Sequence, residues 1–598
     1  MCGIYGAVGV PDAQQRVFAG LQRLEYRGYD SWGVAGLNHD TIVTEKHVGM
    51  IGQTKEFGLP SVSQAIGHTR WATHGGVTQK NAHPHAAHDG SFVVVQNGVV
   101  ENYQELKAEL LAEGYQFVSE TDTEVIVGLL EQQRGTHADL SLADVQSVFQ
   151  RLAGRNTIGI LTRSGEVFAI RDGSPLVVGR DEAGAVYLSS DIASLADDAE
   201  MAQILEHGQG VHLLDQELIF FDAQTGDTFS PHFIPIDTDS LIISKEGYDH
   251  FMLKEMHEQS AVLQNVVDHP VADLQKLVSA VRKARKVYTI GAGSASFAAG
   301  QMAYFLRLAG VDAHVVPSYA ADSYVDLANS SDLAVVFSQS GETADTNEAV
   351  EHFQDQGVQI ASIVNMPGST LTHLSDFPFM LKVGTEVAVA STKALTGQMC
   401  WGWLIAELAK TDPQLPTFAT VYADCKQAVG RYQAQLREWW HNTAVQSTLQ
   451  HLSEQLRDHD KMFVLGRGQL FSSALENALK MKEISYIHAE GFNAGELKHG
   501  VIALIESGTP VMCLVANDTE KANMLSAAAE VKARGALVIG IAPEENELFD
   551  TWIPVPINDD FISISAILPA QMLTYHIALA AGQNPDKPRN LAKSVTVK

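Results

Sequence analysis

Cysteine is scarce in this chain: Cys2, Cys400, Cys425 and Cys513 are the only four in 598 residues. None forms a Cys-x-x-Cys pair, so neither a disulfide framework nor a thiolate zinc site organises the fold, and no metal is expected. Positive charge is in deficit, 41 lysines and arginines against 71 aspartates and glutamates, for a formal net charge of −30. Such a surface repels nucleic acid and anionic lipid, so no nucleic acid and no membrane are expected as partners. No apolar run reaches the length of a membrane span. The N-terminus lacks the basic stretch and apolar core of a secretory signal, which predicts a cytoplasmic protein. What is present is ordinary globular material, 45% hydrophobic and 19% charged. The length calls for three or four domains rather than one core.

Residues 2–225 are rich in short β-type runs such as IYGAVGV, SFVVVQNGVV and EVFAIR, punctuated by DG and NG turn signals. Helical stretches around QQRVFAGLQRLEYRG and NYQELKAELLAEG interrupt them. The pattern predicts an α+β layered domain. Residues 226–274 read as a linker. Beyond it, KVYTIGAG, LAVVFSQSGET and VQIASIVN are nearly continuous apolar runs followed by helical patterns. That alternation predicts α/β domains around buried parallel sheets. KVYTIGAGSAS and KMFVLGRGQLF share a Lys, an apolar run and Gly-x-Gly, and GVQIASIV matches GALVIGIA at a similar offset. The near-constant spacing predicts a duplicated domain, with copies at 275–410 and 448–582. A helical connector (411–447) lies between them, and a separate tail (583–598) follows.

Five stretches of the first domain carry groups capable of chemistry. Cys2 directly follows the initiator Met1. If Met1 is removed, Cys2 bears the free α-amine, which has a pKa of about 8 and can activate its own thiol. YRGYDS contributes Arg27, and HTRWATHG contributes Arg70, Trp71, Thr73 and His74. QNGVVEN contributes Asn97 and Gly98, and SETDTEV contributes Asp122. Each has an ordinary alternative. Asn97-Gly98 is a common turn dipeptide. Thr121-x-x-Glu124 is a capping-box pattern around Asp122. HPHAAH (83–88) hints at metal but reads as a turn without accompanying ligands.

Taken together and in order, these stretches resemble the N-terminal-nucleophile glutamine amidotransferase domain. The resemblance implies that Cys2 attacks the side-chain amide of glutamine. Asn97 and the Gly98 backbone would form the oxyanion hole, Arg70 would grip the carboxylate and Asp122 the ammonium of glutamine.

In the first copy of the duplicated domain, Ser338, Gln339, Ser340 and Thr343 follow an apolar strand and precede a helix. Their hydroxyl and amide groups, with helix N-terminal N–H groups, make a phosphate cradle. VASTKA repeats the arrangement around Val389, Ser391 and Thr392. These loops resemble sugar isomerase domains. In the second copy, Lys480 and Glu483 share one helical face, a spacing also typical of weak surface ion pairs. His499 sits in a Gly-flanked segment, and Lys593 lies in the tail PRNLAKSVTV.

SQSGETADT, VASTKA, KEISYIHAE, GELKHG and PRNLAKSVTV together resemble the glutamine–fructose-6-phosphate aminotransferase family along the whole chain. The resemblance implies that His499 opens the sugar ring, reaching a neighbouring subunit's site in a homodimer. It implies that Lys593 forms a Schiff base with the ketose, and that Glu483 moves the proton between the first two sugar carbons beside Lys480. It implies no cofactor: the imine is the electron sink and glutamine supplies ammonia. One departure stands out. The family's Cys-Gly-Thr-Ser run reads Ala292-Gly293-Ser294-Ala295 here, keeping one hydroxyl at Ser294 and losing another at Ala295. That leaves open a paralogue acting on another ketose phosphate. A plain glutaminase and a purine-pathway amidotransferase fit poorly with the duplicated sugar isomerase pattern. A non-enzymatic sugar-phosphate sensor fits poorly with Cys2 and Lys593.

Overall fold

Strand Gly3–Val8 alternates between two apolar environments, and this alternation builds the N-terminal half of the molecule. The computed structural model describes residues 2–54, 57–137, 139–214, 217–236 and 244–595. They fall into two units: residues 1–243 with 342–344 and 592–598, and residues 244–341 with 345–591.

The first unit holds two antiparallel sheets. The eight-stranded sheet runs, edge to edge, 234–235, 201–204, 177–180, 186–189, 3–8, 64–70, 31–38 and 41–48. The seven-stranded sheet runs 228–229, 217–222, 209–214, 167–170, 156–162, 92–98 and 85–86. Ile4, Val8 and Ile66 of one sheet pack against Val93, Val95 and Leu161 of the other. Their neighbours Tyr5, Ala7 and Val34 face outward, onto Val17 and Leu21 of helix Ala13–Arg23. Val94, Ile158 and Ile160 face helices Tyr103–Ala112 and Thr123–Arg134 on the opposite side. The period-2 alternation of side chains thus produces a helix–sheet–sheet–helix sandwich. Each fully buried aliphatic side chain contributes about 1.5–3 kcal/mol to it.

The second unit contains two five-stranded parallel sheets. The first runs 313–317, 287–291, 333–338, 359–364 and 377–380; the second runs 488–493, 461–466, 510–514, 537–542 and 551–554. Both have the sequence order 2-1-3-4-5, the doubly wound arrangement that opens its ligand crevice at the carboxyl ends of the strands. Strand Leu333–Ser338 is buried at every position, as a parallel strand covered on both faces requires. One large core joins the helices of both copies, including Lys393–Ala409, Thr417–Trp440 and Leu568–Ala580.

Two expectations need correction. The segment 226–274 is not merely a linker. Thr228–Phe229 and Ile234–Pro235 add edge strands to the two sheets of the first unit. Helix Phe251–Val266 and the start of helix Val271–Lys283 complete it, packing Met252, Met256, Leu263 and Leu274 into the second unit. Their apolar face is spread among polar residues, so composition alone concealed it. Secondly, Ile562–Ala580 has the length and apolarity of a membrane-spanning helix, with mean hydropathy 1.4. It is 89% buried within the protein, because it lies at the centre of the shared core.

Candidate functional site

The first constellation assembles at one end of the sandwich. Strand Gly3–Val8 pairs with Gln64–Arg70, placing Ile4 opposite His68 and Gly3 opposite Thr69. His68 Nε2 in turn lies 2.9 Å from the Gln96 carbonyl of the other sheet. Cys2, Arg70 and Asn97 therefore gather near the same end. The Cys2 sulfur accepts the Trp71 N–H at 3.3 Å. Burial pushes the thiol up from its usual pKa, so the group needs a base to become a nucleophile. Met1 lies outside the described residues.

Asn97 is 1% exposed, and neither atom of its side-chain amide has a hydrogen-bond partner among the described residues. A buried, unsatisfied amide costs about 1–3 kcal/mol, and such groups are rare unless a ligand completes them. Gly98 has φ 137, and a Cβ there would lie 2.0 Å from the Arg155 carbonyl oxygen. Only glycine fits. The Asn97-Gly98 pair is not a turn: both residues close strand Phe92–Gly98, opposite Thr157 and Asn156.

The Arg70 guanidinium is 3% exposed and donates to the Gly75 and Gly76 carbonyls at 3.3 Å, and also to that of His74. This loop is thereby shaped around a fixed cation. Asp122 Oδ2 accepts the Val100 N–H at 2.8 Å, while Oδ1 is 4.0 Å from His74 Nδ1. Burial raises the Asp122 carboxyl above the usual carboxylate range. The capping-box pattern is not realised at Glu124. Its carboxylate accepts the Val118 and Ser119 N–H groups instead, which leaves Asp122 to the site. Trp71 is half-buried and meets Tyr29 edge-on at 5.5 Å rather than entering the core. Thr73 is exposed, and His74 packs edge-on against Tyr103.

Two other candidates are engaged elsewhere. Arg27 is buried in an ion pair with Asp191 at 2.9 Å and bonds the Tyr26 hydroxyl, so its charge is already matched within the protein. His83 and His85 are buried and not in a turn; His85 begins a short strand, His83 stacks on His68, and both bond threonine hydroxyls. Burial holds both well below the usual histidine range, so they pack as neutral rings. Among the described residues no group of three or more His, Cys, Asp or Glu is placed to hold a metal.

In the second unit, Ser338 ends its strand and accepts the Gly341 N–H at 2.9 Å. Gly341 has φ 67, and a Cβ there would meet Ser369 Oγ at 2.1 Å, so the loop needs glycine to turn. Gln339 and Ser340 are half-buried in this turn, and Thr343 follows just before helix Ala344–Asp355. Gly293 has φ 55 and leads into Ser294, the first residue of helix Ser294–Leu308. Ala295 packs against the core, where a hydroxyl would have to find a partner.

The second loop differs from the expected cradle. The Glu386 carboxylate accepts the Thr392 and Ala394 N–H groups at 2.9 and 3.0 Å, so these donors are already satisfied. Val389 N–H donates to the Asp586 carbonyl at 3.1 Å. Only the Ser391 hydroxyl, 3.4 Å from Glu386, remains loosely held. This second loop therefore offers fewer open donors than the expected cradle requires.

Lys480 and Glu483 are not a surface pair. Lys480 is 1% exposed and lies between Glu483, to which it is bonded, and Glu476, whose Oε1 is 3.4 Å away. Burial opposes the Lys480 charge, yet the two carboxylates together raise its pKa above the usual lysine value. Burial pushes Glu476 up to about 7. Glu476 escaped the sequence reading; its i,i+4 spacing to Lys480 was the available signal. Glu483 sits in a π-helical turn, Met481–Ser485, closed by Tyr486 with φ 61. Single π turns inside helices are frequent at functional sites. His499 is exposed and Lys593 half-buried.

Comparison with known proteins finds matches along both parts of the chain. A glutamine amidotransferase domain model matches residues 68–197, and a SIS domain model matches 280–408 and 455–579. The glutamine–fructose-6-phosphate aminotransferases (isomerizing) of Pyrobaculum aerophilum and Symbiobacterium thermophilum are 35% and 37% identical over 622 residues, covering 100% of both chains in each case. The solved C-terminal domain of the Francisella tularensis glucosamine-fructose-6-phosphate aminotransferase is 31% identical. It covers 58% of this chain and 100% of its own, with a TM-score of 0.49. The chain therefore belongs to the glutamine–fructose-6-phosphate aminotransferase (isomerizing) family.

Proposed function

We propose that this protein converts glutamine and fructose 6-phosphate to glutamate and glucosamine 6-phosphate, as a cytoplasmic homodimer without a cofactor. One observation carries the glutaminase half: the buried, unsatisfied amide of Asn97 beside the Gly98 strand end, at the level of Cys2. The Cys2 sulfur attacks the glutamine side-chain carbonyl, and the α-amine exposed by loss of Met1 takes the thiol proton. The Asn97 amide and Gly98 N–H receive the developing oxyanion, a contribution of roughly 3–4 kcal/mol per donor. Ammonia leaves, and water releases glutamate from the thioester. Arg70 and Asp122 hold the two charged ends of the amino acid.

The loop at 338–343 holds the sugar phosphate, with Ser294 and Ser391 nearby in the same copy. With the ring opened by His499, Lys593 condenses with the C2 carbonyl of the ketose with loss of water, and ammonia from glutamine then adds at C2 and displaces the Lys593 amine, leaving a C2 imine. Glu483 carries the proton from C1 to C2, with Lys480, bonded to it at 2.5 Å, as its charge partner. The charged group of Glu476, Lys480 and the half-buried Glu483 supports this role, since burying Glu476 and Lys480 at 1% exposure is poor stability design. The domain limits 2–225, 275–410 and 448–582 remain the proposed division of labour.

Assaying glutamate and amino-sugar formation from glutamine plus fructose 6-phosphate tests the whole reading. Glutamate without amino sugar would reduce the protein to a glutaminase. Amination of a different ketose phosphate alone would establish the paralogue that Ala295 keeps open.

A further inference from the structure

The chain between the last helix and Lys593 makes contacts that the reaction itself does not call for. Asp586 is 6% exposed. Its carboxylate accepts the N–H groups of Phe251 at 3.0 Å and Met252 at 2.8 Å, the first two of helix Phe251–Val266. That helix has no side-chain cap from its own N-cap residue, His250. A carboxylate from 335 residues away fills the place, where the helix dipole favours it. Lys245 Nζ lies 4.0 Å from the same carboxylate. The Asp586 backbone carbonyl accepts the Val389 N–H, in the first copy's second sugar loop.

Three positions later the chain is held again, now on the second copy. The Arg589 N–H donates to the Tyr486 hydroxyl at 2.7 Å, and the Arg589 guanidinium lies 4.2 Å from the centre of the Tyr486 ring. Tyr486 closes the π turn that carries Glu483. Pro585 and Pro588 are buried within the anchored stretch and restrict its backbone. Asn590, at φ 60, then redirects the chain toward Lys593.

We propose that Asp586 and Arg589 form a two-point latch that fixes the register of the C-terminal tail on both copies of the duplicated domain. They act as positioning residues for Lys593. The inference rests on the reading of Lys593 as the Schiff-base lysine. Its physical content is reach. Lys593 lies thirteen positions beyond Ala580, where the last helix ends, and four beyond Arg589. At about 3.4 Å per residue, four residues span roughly 14 Å at most, so the hold at Arg589 sets where the segment carrying Lys593 begins, and beyond Lys593 the Val595 carbonyl accepts the Ala344 N–H at 3.0 Å.

The test uses the full chain with Asp586→Ala, Arg589→Ala and Tyr486→Phe. Borohydride trapping by fructose 6-phosphate and glucosamine 6-phosphate synthesis are measured alongside glutamine hydrolysis and Tm. Tyr486→Phe keeps the ring and removes only the hydroxyl, so it spares the fold. Trapping at Lys593 and kcat for synthesis should fall several-fold in Tyr486→Phe and about tenfold in Asp586→Ala. KM for fructose 6-phosphate and glutamine hydrolysis should stay near parental values. Asp586→Glu and Arg589→Lys should recover part of the loss, and protease cutting between 586 and 593 should speed up in the alanine variants. Parental trapping and synthesis in all three variants, or losses that merely follow Tm, overturn the latch while leaving Lys593 in place. A parental enzyme that labels elsewhere, or a Lys593→Arg variant that synthesises normally, overturns both readings.

Discussion

Asn97 and Glu476 show how single buried polar groups reveal chemistry. Asn97→Ala removes the donor that the fold leaves unsatisfied. It should lower kcat for glutamine hydrolysis by about 10²–10³, with KM for glutamine little changed. Steady-state glutamate release checks this, and a loss confined to KM would mean that Asn97 binds the ground state instead. Glu476 makes a prediction about pH. Its carboxyl is raised by burial to about 7 in the folded protein, against 4.5 as its ordinary value. Between these values the folded state binds more protons than the unfolded one, so stability falls as pH rises through the window. Glutamine at 476 cannot ionise and escapes that penalty. The Tm advantage of Glu476→Gln over the parent should therefore grow from pH 5 to pH 8. A constant difference would show that Glu476 is ionised throughout.

At the scale of elements, the π turn Met481–Ser485 decides where Glu483 points. A π turn accommodates one residue more than an α-helical turn can, so deleting a residue should restore α geometry. Lys482 is exposed and can be lost without opening the core. Its deletion should rotate Glu483 by about 100° relative to Lys480, given 3.6 residues per turn. Isomerisation of fructose 6-phosphate should fall at least a hundredfold, while glutamine hydrolysis continues. Retained isomerisation would show that the turn's shape is incidental.

For the whole molecule, the proposed reaction raises the question of how ammonia formed at Cys2 would serve a sugar bound elsewhere in the chain. Ammonia released to solvent at neutral pH is mostly protonated and no longer a nucleophile. Trp71 follows Arg70, the proposed glutamine clamp, shares its backbone N–H with the Cys2 sulfur, and stands half-buried against Tyr29. A side chain so placed is suited to gate the ammonia path. Trp71→Ala should leave glutamine hydrolysis within about twofold of the parent, yet yield glutamate in clear excess over glucosamine 6-phosphate. Equal yields from one reaction would refute the gate; loss of both products with a lower Tm would make Trp71 a packing residue.

The sequence by itself determined the classes of element. Period-2 alternation specified the sandwich strands, because each face meets a different environment. Continuous apolar runs specified the parallel strands, because both faces are covered. The repeated Lys–apolar–Gly-x-Gly pattern specified the duplication, since the same local demands recur in each copy. Only the tertiary structure decided which donors are still open. It matched Arg27 to Asp191, satisfied the Thr392 and Ala394 N–H groups with Glu386, and left the buried Asn97 amide, beside the His68 ring, without a well-formed hydrogen bond among the described residues. It also turned a helical Lys480–Glu483 spacing into a cluster in which Lys480 is buried between Glu483 and Glu476. Hydrogen bonds and desolvation depend on which atoms meet across long stretches of chain. Periodicity reports only on neighbours within a few residues.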